Sequence, residues 1–170
     1  MGVARSQRRR SSSQPRAKRI NGASKALNSS KPIKFTLSSD PKLHQAVREA
    51  EEQILAAVAQ CGYDDQSTFA IRISLEEALV NAIKHGNKLD PSKKVWVEAK
   101  ISPKRAQIEI EDQGPGFDRT SVPDPTAEEN LCKCSGRGIL LMETYMNSVS
   151  WTKQGRRVKM VRVNQRHFPG

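Results

Sequence analysis

The amino-acid sequence predicts an α/β (α+β) two-layer sandwich in which a mixed, mostly antiparallel sheet carries its helices on one face. Five short stretches alternate apolar and polar residues as half-buried strands do, and three others carry an apolar stripe at helical spacing. Their order along the chain is βααββαββ, which suits helices packed on one side of a sheet.

The first strand is read at Ile33-Lys34-Phe35-Thr36-Leu37-Ser38, followed by Ser39-Asp40-Pro41 as an N-cap and first-turn proline. From 42 to 60 the residues Leu43, Val47, Ala50, Ile54, Ala57 and Val58 share one helical face, and Gly62 stands where that helix would stop. A second helical pattern runs from about Asp65 to His85, with Phe69, Ile73, Leu75, Leu79, Ala82 and Ile83 apolar, and ends at Gly86. Val95 to Ile101 and Ala106 to Ile110 alternate around Ser102-Pro103-Lys104 and predict a hairpin. Asp112 keeps the parity of Ala106, Ile108 and Ile110, so it sets a carboxylate on the core-facing side, where it is costly without a partner. Residues 117–135 lose all periodicity, and a loop of that length usually serves function. Gly138 to Met146 resumes a helix; Ser148 to Thr152 and Arg156 to Asn164 then form strands around a turn at Gln154-Gly155.

Charge divides the 170 residues unevenly. Ten of the 29 Lys and Arg side chains lie in residues 1–34, which carry no acid, so the remainder holds 19 bases against 18 acids. Residues 1–34, rich in Ser and Arg, cannot bury enough surface to offset ordering entropy and are expected to be a disordered basic tail, whose contact with nucleic acid would be weak. Residues 35–166 are expected to form the single folded domain. No apolar run approaches the roughly 20 residues that span a bilayer, so no membrane association is expected. An odd set of cysteines, Cys61, Cys132 and Cys134, argues against a disulfide framework and for a reducing cytoplasm.

Three short motifs carry the chemistry. Glu77 and Asn81 stand four apart on the second helix and so can share one ligand. Asp112-Gln113-Gly114-Pro115-Gly116 sets two glycines beside the buried carboxylate, allowing a close backbone approach. Ser135-Gly136-Arg137-Gly138 opens a helix, where free N–H groups and the helix dipole favour an anion. Each is weak alone; their order and spacing together are specific.

Across about residues 33–164 the chain resembles the GHKL, or Bergerat-fold, ATPase and kinase superfamily. Glu77-Ala78-Leu79-Val80-Asn81-Ala82-Ile83-Lys84-His85-Gly86 resembles its N box, Asp112 to Phe117 its first glycine box, and Gly136 to Met142 its second. Small size and the His-Gly ending of the N box look most like the anti-sigma-factor serine kinases of bacterial partner switching. Arg156-Arg157-Val158 is a departure, standing where many relatives carry a threonine that helps bind the adenine side.

The resemblance implies ATP and Mg²⁺ as cofactors. Asp112 would accept a hydrogen bond from the adenine amino group, with Gly114 and Gly116 beside the base; Asn81 would hold the magnesium ion; Gly136, Arg137 and Gly138 would meet the phosphates; and Glu77 would be the general base. Residues 117–135 would be a lid. Implied partners are a sigma factor and an anti-sigma-factor antagonist, with a homodimer common among relatives; the alternative is a catalytically silent, ATP-gated protein-binding module. Trp96, Trp151 and His85 read as structural, the tryptophans in packing and the histidine at a helix terminus.

Overall fold

The computed structural model describes residues 31–118 and 137–167. Residues 1–30 of the tail reading and most of the lid reading fall outside them, as does Gly136; Ile33 and Lys34, counted with the tail, stand in the first strand.

The elements follow the expected order: β1 (Ile33–Ser38), α1 (Leu43–Gln60), α2 (Asp65–Val80), β2 (Lys94–Ile101), β3 (Arg105–Glu111), α3 (Arg137–Tyr145), β4 (Ser148–Thr152) and β5 (Arg157–Val163). Helix α1 starts later than its sequence suggests. Asp40 instead closes a tight turn, its Oδ1 accepting the Lys42 N–H (2.8 Å) and its Oδ2 the Ser38 hydroxyl (2.9 Å). Helix α2 is capped by Asp64, whose Oδ1 accepts the Ser67 N–H at 2.6 Å. That hydrogen bond holds the Asp64 carboxyl below its ordinary pKa.

The sheet order is β1-β2-β3-β5-β4, and every pairing among the described residues is antiparallel, in keeping with the mostly antiparallel sheet expected from the sequence. After α3 the chain returns through β4 and a tight turn, and that turn reverses β5 so that it enters antiparallel beside β3. Val95, Val97, Ala99, Ile101, Ala106, Ile108, Ile110, Val158 and Met160 point to the helices and are buried. They meet Ile54 and Val58 of α1 and Ile71, Leu75, Ala78 and Leu79 of α2 in one core. Phe69 is not part of that face: it is 49% exposed and meets Tyr145 edge-on, because the buried stripe of α2 is centred on Ile71, Leu75, Ala78 and Leu79.

The opposite sheet face is solvated and carries ion pairs, among them Lys34–Glu98 and Lys100–Glu98 at 2.9 Å and Arg157–Glu111. Arg162 points the other way, 8% exposed, and its Nη1 donates to the Tyr145 carbonyl at 2.8 Å, tying the C-terminal end of α3 to β5. Among the described residues no helix is long and apolar enough to cross a membrane.

Ile108 lies in the central strand at 0% exposure, between Ala99 and Met160. Ile108→Ala should cost about 2–5 kcal/mol, read as a lowered urea midpoint with an unchanged m-value.

Candidate functional site

Helix α2 does not run unchanged to Gly86. From Asn81 to Gly86 it widens into a π-turn, closed by the Asn87 N–H donating to the Ala82 carbonyl at 2.8 Å. Such turns concentrate at functional sites because they rotate the side chains that follow them. Asn87 then anchors the end: it is 1% exposed, its Nδ2 donates to the Lys94 carbonyl (2.9 Å), and its Oδ1 accepts the Gln113 N–H (2.8 Å). Gln113 completes the link with its own side-chain amide, its Oε1 accepting the Lys94 N–H at 2.6 Å. One buried amide therefore ties the end of the helix to the loop that follows β3.

That tie brings Gly86 against Asp112. A methyl group at Gly86 would stand 2.5 Å from Asp112 Cγ and Oδ1, so only a glycine leaves the carboxylate where it is. Gly114 packs on the other side: a methyl there would overlap the Gly86 carbonyl, and its N–H donates to Asp112 Oδ1 at 2.7 Å. Burial raises the Asp112 pKa above its ordinary value of 3.8, against the opposing pull of the Gly114 N–H and Arg156.

The next stretch of the loop interlocks with the β4–β5 turn. Gly116 and Gly155 adopt φ of +80° and +83°, a region costly for other residues, and each leaves no space for a Cβ against the opposite backbone. The Phe117 N–H donates to the Gln154 carbonyl (3.0 Å), and the Phe117 ring meets Trp151 edge-on with centroids 6.3 Å apart.

These elements enclose a cavity of about 650 Å³. Of the residues singled out in the sequence, Glu77, Asn81, Asp112, Gly116, Arg137 and Gly138 line it. Gly114 lies behind it, packed on Gly86, and Gly136 is outside the described residues. The opening of α3 rests directly on the helix pair: a methyl at Gly138 would overlap Glu77 Oε2 and stand 3.6 Å from Asn81 Nδ2. The N-terminal N–H groups of α3 thus sit beside Glu77 and Asn81, while Asp112 lies on the wall formed by β3.

Sequence reasoning missed several lining residues. Trp151 and His85, read as structural, both border the cavity, together with Phe117, Lys88 and Arg156. Trp151 was accessible to a parity argument, since it pairs with the core-facing Val158. Asn87 had no local signal, because its partners come from two other segments.

The histidine kinase-like ATPase domain model matches residues 37–162, from the end of β1 to the penultimate residue of β5. The chain belongs to that family. Relatives of this histidine kinase-like ATPase domain include the anti-sigma F factor of Clostridium perfringens, 34% identical over 103 residues that cover 59% of this chain and 73% of the relative. The anti-sigma F factor of Anoxybacillus flavithermus is 29% identical over 119 residues, covering 66% and 81% respectively. The serine-protein kinase RsbW of Bacillus licheniformis is 30% identical over 97 residues, covering 54% of this chain and 61% of the relative.

The raised Asp112 pKa has a consequence for stability. The folded state holds the proton more tightly than the unfolded chain, so stability falls as pH rises from the ordinary carboxylate value through the raised one. Asp112→Asn removes that cost. The variant should be more stable than the native protein near neutral pH, and urea midpoints of the two should converge as pH is lowered towards about 4.

Proposed function

We propose that this chain is an ATP-dependent protein serine kinase that binds a sigma factor and phosphorylates an anti-sigma-factor antagonist. The observation that carries the reading is that a histidine kinase-like ATPase domain gathers Glu77, Asn81, Asp112 and the opening of α3 around one cavity. The names of the relatives, anti-sigma F factor and serine-protein kinase, support the partners and the acceptor chemistry.

The residues present fit a magnesium nucleotide. A volume of about 650 Å³ lies within the usual range of small-molecule sites. Apolar Ile110, Met142 and Val158 border the cavity around a half-buried carboxylate, which suits a purine with one polar edge. Asp112 would accept from the adenine amino group, its position fixed by Gly86 and Gly114. Gly138, with Gly136 and Arg137, would face the phosphates from the helix N-terminus. Asn81 would hold Mg²⁺ by its amide oxygen, with phosphate oxygens as further ligands. Bound Mg-ATP supplies the transferable phosphoryl group and the charge that neutralises its oxygens.

Glu77 stands one turn from Asn81 and against Gly138, at the phosphate end. It would take the proton of a serine hydroxyl as that oxygen bonds to the γ-phosphorus and ADP leaves. A cytoplasmic location, where a sigma factor acts, belongs to the same reading.

Transfer of labelled phosphate from ATP to a serine of a co-encoded antagonist tests it. Glu77→Gln should keep ATP affinity and lose about 10²–10⁴-fold in transfer rate. Binding of ATP with no transfer by the native protein would replace the kinase with an ATP-gated binding module.

A further inference from the structure

The β3–β5 ladder separates two consecutive arginines by face. Arg157 pairs with Glu111, and its guanidinium is held on the solvated face by Glu111 and by Glu109 at 3.6 Å. One step beyond, the Asp112 N–H donates to the Arg156 carbonyl at 3.0 Å, which continues the ladder by one pair. Residues directly opposite in an antiparallel pair project to the same side, with Cβ atoms about 4.5–5.5 Å apart. Arg156 and Asp112 therefore face the cavity together, and both line it.

The Arg156 side chain is also fixed. Its Nε donates to the Lys153 carbonyl at 3.1 Å. Its Cγ lies near Gly116, where a methyl would stand 3.3 Å away. Lys153 and Gln154 that precede it hold positive φ of 51° and 57°, so the turn that aims this side chain is a strained one kept in place by its contacts. With Nε committed, the two Nη groups are the donors the guanidinium can offer a ligand.

We propose that Arg156 is a specificity-determining residue of this site, donating a hydrogen bond to the purine ring nitrogen N1 beside the amino group that Asp112 accepts. The proposal rests on the nucleotide reading above and adds to it the source of base selectivity. An acceptor from β3 and a donor from the cross-strand position match the donor–acceptor order of adenine, amino N–H then N1. Guanine in the same placement offers the reverse order, carbonyl O6 then N1–H, and meets both protein groups with like polarity.

Calorimetry with ATP and 1-deaza-ATP, in which C–H replaces N1, tests this on the full chain. Native protein should bind ATP about tenfold to a hundredfold more tightly than 1-deaza-ATP, as expected for one hydrogen bond from a charged donor. Arg156→Ala should bind the two analogues equally and narrow the preference for ATP over GTP, while Arg156→Lys should regain part of the discrimination. Arg157→Ala, one residue away on the other face, should leave the ratio as in native protein. An ATP to 1-deaza-ATP ratio that is the same in native protein and Arg156→Ala overturns the proposal and leaves the nucleotide site standing. Failure of native protein to bind either nucleotide overturns the site reading itself, and this proposal with it.

Discussion

The missing side chain at Gly86 is the constraint on which the site depends. Asp112 is a carboxylate on the core-facing side of a sheet, in a position that burial makes expensive, and it is held there by contact on both sides. Gly86 leaves space for the carboxylate, and Gly114 supplies an N–H at 2.7 Å and packs on the Gly86 carbonyl. Asn87 secures that arrangement from behind, since one buried amide joins the π-turn to Lys94 and Gln113. The raised pKa of Asp112 is the energetic trace of this placement: the fold accepts a partly desolvated carboxylate and gains an acceptor aimed into a cavity.

Strand parity does the rest of the sorting. Along β3 and β5, alternate side chains either enter the core and cavity or join the ion pairs of the open face. Glu111 and Arg157 go to the open face, and Asp112 and Arg156 to the cavity, although each pair of neighbours looks chemically interchangeable in the sequence. Exposed ion pairs of this kind contribute little stability each. The core of Ile, Val, Leu and Met side chains carries most of it.

Much of this was legible from the sequence. Strand alternation and helical stripes gave the order of elements, and β1 and β4 match their expected bounds. The parity of Asp112 with Ile108 and Ile110 predicts a carboxylate on the core-facing side of the sheet, and the cavity lies on that side. What stayed hidden depends on contacts between distant segments. Asn87 is meaningful only through Lys94 and Gln113, and the interlock of Gly116 with Gln154 joins the loop after β3 to the β4–β5 turn. The start of α1 was misplaced because Asp40 can cap a helix or close a turn, and the choice is made by Ser38 and Lys42. The widening of α2 at Asn81 has no periodicity signal: Ala82 and Ile83 are apolar and buried, as the helical pattern of the sequence already expects.

The most direct measurement is the affinity for Mg-ATP of native protein and Gly86→Ala, by calorimetry, with urea unfolding of both as a control on folding. The account predicts that native protein binds and that the variant, still folded, loses most of its affinity, because the added methyl displaces the Asp112 carboxylate. Equal binding by the two proteins, or no binding by the native one, would contradict it.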